Sequence, residues 1–330
     1  MRAVQLTAKT GYSGLRLTER YEPNRLDDGQ VLVTLAAAGV TPLEHTLATG
    51  GLPASLSLPL VMGNEGAGVV SESRHAGWAV GTHVAFTGPY GMSRDGSWAD
   101  AAVVDAGHLA RVPEDVPLVT AAAMPVAYLT ASLALEQAGF SAGKTVLAPG
   151  AGGSVGNATY QLARAMGAGR VITTAGSGEK AAAARAAGMT DVIDLSIDDL
   201  AAAARALTGG AGVDIVIDAL GGSVTSSCLA ALGFGGVAIV IGYSAGRTSA
   251  IRLTDLIWTA SSVRGFNLFM QPPSAIRRAY EDVFSLLERG EINPAIDRVH
   301  PLEEAAAALE HLIEDRPFGK VVLSIEPQRV

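Results

Sequence analysis

The chain has 330 residues, 48% of them hydrophobic and 5% aromatic, enough apolar material to build the cores of about two domains. Its formal charge is −8 and it has no basic block, which argues against duplex nucleic acid as a main partner. The one cysteine, Cys228, excludes an internal disulfide and any metal site with two cysteine ligands.

The opening stretch MRAVQLTAKT mixes charge with apolar residues and lacks a signal-peptide core. No apolar run reaches the ~18 residues of a membrane span, so a soluble cytoplasmic protein is expected. The first ~120 residues carry strand-like pieces such as QVLVTLAAAGV and NEGAGVV between frequent Gly and Pro, with little helical periodicity, and read as a β-rich domain. From residue 145 to about 270 the rhythm changes. Short runs rich in β-branched residues (TVLA, RVITT, DVIDL, VDIVID, VAIVIG) alternate with Ala-rich helical stretches (NATYQLARAMG, EKAAAARAAG, DDLAAAARAL). Near-continuous apolar strands separated by helices predict a parallel sheet covered on both faces. The tail, EEAAAALEHLIEDRPFGKVVLSI, reads as a helix and then a strand that returns to the first domain.

The stretch TVLAPGAGGSVGNATYQLARAMGA is strand, glycine turn, helix. Ala151 to Gly156 fits A-x-G-x-x-G, with Gly152, Gly153, Ser154, Val155 and Gly156 in the turn. Gly153 would let backbone approach a pyrophosphate, and Gly156 would let the helix pack on its strand. The free N–H groups and dipole of the helix N-terminus would hold the anion.

With these motifs in place, the chain resembles the medium-chain dehydrogenase/reductase superfamily, within it the zinc-independent, zeta-crystallin-like quinone oxidoreductase branch. AAAGVTPLEHTLATG, VMGNEGAGVV, AAAMPVAYLTASLAL and PFGKVVL match successive family segments in order. The resemblance implies an α/β fold with a Rossmann-type doubly wound parallel sheet over residues 123–270. It implies a GroES-like β-rich catalytic domain from 1–122 and 271–330. It also implies a homodimer, supported by the apolar strand in GGVAIVIGYSAG, whose edge could pair with a second copy. By the family pattern the nicotinamide cofactor is bound by Thr41, Thr130, the 152–156 turn, Ser177, Lys180, Gly242, Tyr243, Phe266, Asn267, Gly319 and Lys320. The chain departs from that pattern at Ser154 (usually Gly), Thr41 (Asn), Thr46 (Tyr), Tyr128 (Gly) and Leu195 (Tyr).

Zinc-dependent relatives carry a Cys where this chain has Thr41, and a GHE motif where it has Gly63-Asn64-Glu65. The six histidines show no paired spacing, and His45 beside Glu44 reads as a polar loop. No catalytic or structural zinc is expected. Without a Lewis acid, the accessible chemistry is hydride donation to an electron-poor acceptor, a quinone or an activated alkene. An NADPH-dependent quinone oxidoreductase is the first reading and an enoyl or 2-alkenal reductase the second. An RNA-binding or structural role, known among zeta-crystallin-like relatives, fits poorly with the acidic charge and sparse aromatics. Thr41 and Tyr128 are the candidate catalytic hydroxyls, with Tyr243 a further one.

The choice of NADPH rests on the end of the strand RVITT. An NAD enzyme places Asp or Glu about 20 residues past the glycines, near Ala175. The residues there are Thr174, Ala175, Gly176 and Ser177, none acidic. Ser177 offers a hydroxyl and Lys180 a cation to a 2′-phosphate, while Glu179, at a helix start, is expected to point to solvent.

Overall fold

The computed structural model describes residues 1–52 and 56–325. It divides into two units. The first comprises Met1–Val126, Gln271–Glu288 and the chain from Ile296 onward; the second comprises Ala127–Met270 and Arg289–Ala295.

The first unit opens with β1 (Ala3–Leu6), β2 (Leu15–Thr18), β3 (Gln30–Val40) and α1 (Pro42–Ala48). It continues through β4 (Leu60–Val61), β5 (Glu65–Ser73), β6 (His83–Thr87), β7 (Ala101–Asp105), β8 (Leu109–Arg111) and α2 (Leu118–Ala122). Along β3, Val31, Val33 and Leu35 are buried while Thr34 is exposed, the period-two pattern of a sheet with one covered face. From Ala37 to Val40 every residue is buried, so that end of the strand is covered on both faces. Trp98, Tyr90, Phe86 and Met62 are among the largest side chains in this core, and the Trp98 indole donates to the Gly39 carbonyl at 3.1 Å.

In the second unit, α3 (Pro125–Gln137, its first two residues counted with the first unit) leads into a strict alternation. The order is β9 (Thr145–Ala148), α4 (Ser154–Ala165), β10 (Arg170–Ala175), α5 (Gly178–Ala186), β11 (Asp191–Asp194), α6 (Leu200–Leu207) and β12 (Val213–Asp218). Then come α7 (Gly222–Ala231), β13 (Leu232–Val240), α8 (Leu253–Ile257) and β14 (Ser262–Gly265). The strands form one parallel sheet in the order β11-β10-β9-β12-β13-β14. The chain steps outward from β9 to β11 and returns to the far side of β9, so the strand order reverses between β9 and β12. In doubly wound sheets that switch point marks the ligand crevice. Fully buried Ala181, Ala184 and Ala204 let α5 and α6 lie close on the strands.

The chain then returns to the first unit through α9 (Pro273–Glu288), β15 (Ile296–Pro301), α10 (Ala305–Glu310) and β16 (Lys320–Ser324). On α9 the buried Ala279, Tyr280, Val283, Phe284 and Leu286 form one helical face. As the tail suggested, β16 re-enters the first sheet, antiparallel to β3, with Val321 opposite Val40.

One expectation is corrected. The apolar strand of GGVAIVIGYSAG is interior, because β14 pairs along the far side of β13. The edge is β14 itself, a short Ser-Val-Arg-Gly strand too polar to stand out in the sequence. Among the described residues no helix is long and apolar enough to cross a membrane.

A π-helical turn, His311–Asp315, leads from α10 towards β16 and ends in Arg316 at φ +50°. His311 Nδ1 lies 2.7 Å from Asp315 and Nε2 lies 2.8 Å from Asp297 on β15. Only an imidazolium can donate from both nitrogens. These hydrogen bonds, Asp297 first, raise the His311 pKa above its usual value. The folded pKa lies above the unfolded one, so the stabilisation is complete below about pH 6.5 and fades as pH rises through the folded value. His311→Gln should therefore lower Tm most at acid pH. The gap to the parent should narrow by a degree or two between pH 6 and 9, as read by calorimetry; a constant gap would contradict the assignment.

Candidate cofactor and active site

In the second unit, the C-terminal end of β9 runs into Pro149–Gly153. Gly150 turns the chain at φ +86°. Its N–H donates to Thr174 Oγ1 at 3.0 Å, and the Ala151 N–H donates to the Thr174 carbonyl at 2.8 Å, tying the turn to the end of β10. Buried Asn157 donates from Nδ2 to the Ala151 carbonyl at 3.1 Å, bracing the turn from the helix side. At Gly156 a Cβ would lie 2.3 Å from the Gly150 carbonyl oxygen and 2.6 Å from that of Pro149, so only glycine allows this approach. The α4 N-cap is Gly153, with no side-chain cap. The turn thus presents first-turn N–H groups and the positive end of the helix dipole to an anion, a fit for a dinucleotide pyrophosphate.

The other residues that the family pattern assigns to the cofactor in this unit spread over several strand ends. Ser177 is the N-cap of α5 and accepts from the Lys180 N–H at 3.3 Å, leaving its own O–H free to donate. Lys180 is half-buried, and Glu179 is exposed, as its place at a helix start suggested. Gly242 and Tyr243 follow β13; the Tyr243 ring is 41% exposed and carries the Arg247 guanidinium 5.2 Å from its centroid. Phe266 is buried and its N–H donates to Val240 at 3.0 Å, while Asn267 Oδ1 accepts from Phe269. Thr130 and Tyr128 are buried on α3. Among the described residues the Tyr128 hydroxyl makes no hydrogen bond of good geometry, and burial pushes its pKa up against a weaker opposing pull from Gln161.

In the first unit, Thr41-Pro42-Leu43-Glu44 is a capping box with Pro at the first helical position. The Thr41 N–H and hydroxyl both donate to Glu44 Oε2, at 2.8 and 2.5 Å. Glu44 Oε1 accepts from the Asn64 N–H at 3.1 Å, and Asn64 Nδ2 reaches Thr41 Oγ1 at 3.3 Å. Beside this cluster Glu65, fully buried, forms an ion pair with Lys320 and accepts from the Val126 N–H at 2.7 Å. The family pattern places Lys320 among the cofactor contacts; the structure commits its ammonium to Glu65 and leaves it 3% exposed. Gly319 precedes it at φ +125°.

The donors at the position of the alcohol dehydrogenase zinc are a threonine hydroxyl, an asparagine amide and a carboxylate already accepting three hydrogen bonds, with Lys320 beside them. That set does not fit zinc, which takes Cys, His or an open carboxylate. Among the described residues no group of three or more His, Cys, Asp or Glu is disposed to hold a metal ion.

Sequence reasoning missed Asn157, Thr174 and the role of Glu44. Glu44 was legible, since T-P-L-E is the capping-box signature. Asn157 and Thr174 carry no local pattern; only the strand–turn–helix geometry brings them to the turn.

Comparison with known proteins agrees with this geometry. A family model described as "Alcohol dehydrogenase GroES-like domain" matches residues 27–114, and one described as "Zinc-binding dehydrogenase" matches 154–289. "Quinone oxidoreductase-like protein 2" of Rattus norvegicus is 30% identical over 308 residues, covering 92% of this chain and 87% of that protein. A solved quinone oxidoreductase of Pseudomonas syringae pv. Tomato DC3000 superposes with TM-score 0.88 at 27% identity, over 98% of this chain and 99% of that one. A mycobacterial protein solved in complex with NADPH has TM-score 0.87 at 28% identity, over 98% of this chain and all of that one.

Burial pushes the Glu44 pKa up to about 7, against the opposing pull of its hydrogen bonds to Thr41. Here the folded pKa of an acid is raised, so ionisation costs stability. The penalty is absent below about pH 4.5, grows through the window up to about 7, and is constant above it. Glu44→Gln should flatten this fall. Relative to the parent, its Tm should rise by several degrees between pH 4.5 and 7.5, whatever the offset between the two curves; parallel curves would show that Glu44 does not titrate in this range. With both family models matched and a relative 30% identical over 92% of its length, the chain belongs to the medium-chain dehydrogenase/reductase superfamily, in its quinone oxidoreductase branch.

Proposed function

We propose that the protein is an NADPH-dependent quinone oxidoreductase of the cytoplasm that works without a metal. The observation that carries the reading is the braced glycine turn ahead of α4, with first-turn N–H groups that no side chain caps. When bound, the dinucleotide supplies the hydride. The turn holds the pyrophosphate, and Asn157 and Thr174 keep its shape. Ser177 and Lys180 are the contacts for the 2′-phosphate. A reduced quinone carries its charge over the ring and takes protons from water, so no side chain need be a strong acid.

A second reading, reduction of an activated C=C bond, is favoured by Thr41. Its hydroxyl is backed by Glu44, a carboxyl that titrates near neutrality and can pass a proton. Turnover of 1,4-benzoquinone, 9,10-phenanthrenequinone, an alkenal and an enoyl thioester separates the two. The quinones should be at least about tenfold faster, and Thr41→Val should leave their turnover within about threefold. Dominant alkenal or enoyl turnover, with a loss in Thr41→Val above ~100-fold, the scale of general acid catalysis, would establish the second reading instead.

The cofactor preference has its own test. A charge-assisted hydrogen bond is worth about 1.5–3 kcal/mol, roughly ten- to a hundredfold in affinity. Lys180→Ala should raise KM for NADPH by about that factor and barely change it for NADH. Equal effects on both cofactors would reject Lys180 as the phosphate contact.

A further inference from the structure

The strand end that selects between the two nicotinamide cofactors has no acid of its own, but the neighbouring strand brings one to it. In the register of β10 and β11, Asp194 is the partner of Ala175, the last residue of β10, and the Leu195 N–H donates to the Ala175 carbonyl at 2.9 Å. Asp194 is 7% exposed. Its Oδ1 is engaged, accepting from the Ser196 N–H at 3.0 Å and hydroxyl at 2.6 Å, which closes the turn after β11. Oδ2 faces the other way, towards the start of α5: a Cβ built on Gly178 would lie 3.3 Å from it. Gly178 is the first residue of that helix, directly after the N-cap Ser177. The missing side chain lets the carboxylate stand against the first turn, where the helix dipole favours a negative charge. The same first turn, with Ser177 and Lys180, is the place the proposed function gives to a 2′-phosphate.

We propose that Asp194 is a specificity-determining residue which, from the strand next to β10, opposes the 2′-phosphate at the start of α5 and so limits the preference for NADPH over NADH. This rests on the reading of the 149–156 turn as a dinucleotide site. Two anions cannot share one helix start without repulsion. The phosphate, with a charge between −1 and −2, feels the carboxylate across a few ångströms of partly solvated space, which is worth on the order of tenfold in affinity. An adenosine ribose with both hydroxyls free carries no such charge and is unaffected.

The test uses two adenine nucleotides that differ only in the phosphate, 5′-AMP and 2′,5′-ADP, titrated calorimetrically into the parent protein, Asp194→Asn and Asp194→Ser. Asn keeps the Oδ1 acceptor for Ser196, and Ser supplies a second neutral side chain should Asn disturb the turn. Both variants should bind 2′,5′-ADP about tenfold more tightly at 50 mM salt, with 5′-AMP unchanged within twofold. The gain should shrink at 500 mM salt, where the Debye length falls to a few ångströms. KM for NADPH should fall in parallel, with kcat unchanged. Parent protein that binds 5′-AMP, together with variants that alter both nucleotides alike, alter neither, or show a gain indifferent to salt, would overturn the role of Asp194 alone. Parent protein that binds neither nucleotide nor NADPH would overturn the dinucleotide reading and this inference together.

Discussion

The buried ion pair between Glu65 and Lys320 is the contact on which the first unit turns. It links the start of β5 to the start of β16, and through its second oxygen Glu65 also holds the first turn of α3. Taking two charges out of water costs several kcal/mol per ion, so such a pair is retained only where its geometry is good and its remaining atoms are bonded. The surroundings enforce that geometry. A Cβ on Gly39 would overlap the Glu65 carboxylate, so the opposing strand has to be bare at that point. Glu44 lies within electrostatic reach of Lys320, which pulls its pKa down while burial pulls it up. The titration of Glu44 is thus shaped partly by an ammonium already committed to another acid.

The same cluster shows how hydrogen bonds between Thr41, Glu44 and Asn64 fill the space beneath α1. The carboxylate of Glu44 takes the two N–H groups and the hydroxyl that would otherwise be stranded beneath α1 and β5. A capping box, ordinarily a device for starting a helix, here fills the space with hydrogen bonds. Among the described residues, the Asn64 Oδ1 and the Tyr128 hydroxyl are buried without a hydrogen-bond partner.

Most of the second unit was legible from residues 145 to 242, because buried parallel strands are written as unbroken β-branched runs and VDIVID coincides with β12. The glycine turn was legible for the same reason, since strand, glycines and helix follow without interruption. What escaped were features that depend on neighbours in space. The edge strand β14 is polar and four residues long, and only its pairing with β13 gives it away. Asp194 lies 19 residues further along the chain than Ala175 and meets it only across the ladder, so no local spacing marks it. Lys320 entered only through the family pattern, and its ion-pair partner Glu65 lies more than two hundred residues away along the chain.

The position of β16 also sets an order for the making of the molecule. All but seven residues of the second unit form one continuous stretch, so its sheet can close as soon as that stretch has left the ribosome. The first unit is interrupted by it and cannot close early. Until the last strand emerges, the Ala37–Val40 end of β3 has an open edge, and Glu65 waits in a forming core without its counter-ion. The sheet of the second unit can therefore close before β16 has been made, whereas that edge of β3 stays open until β16 follows.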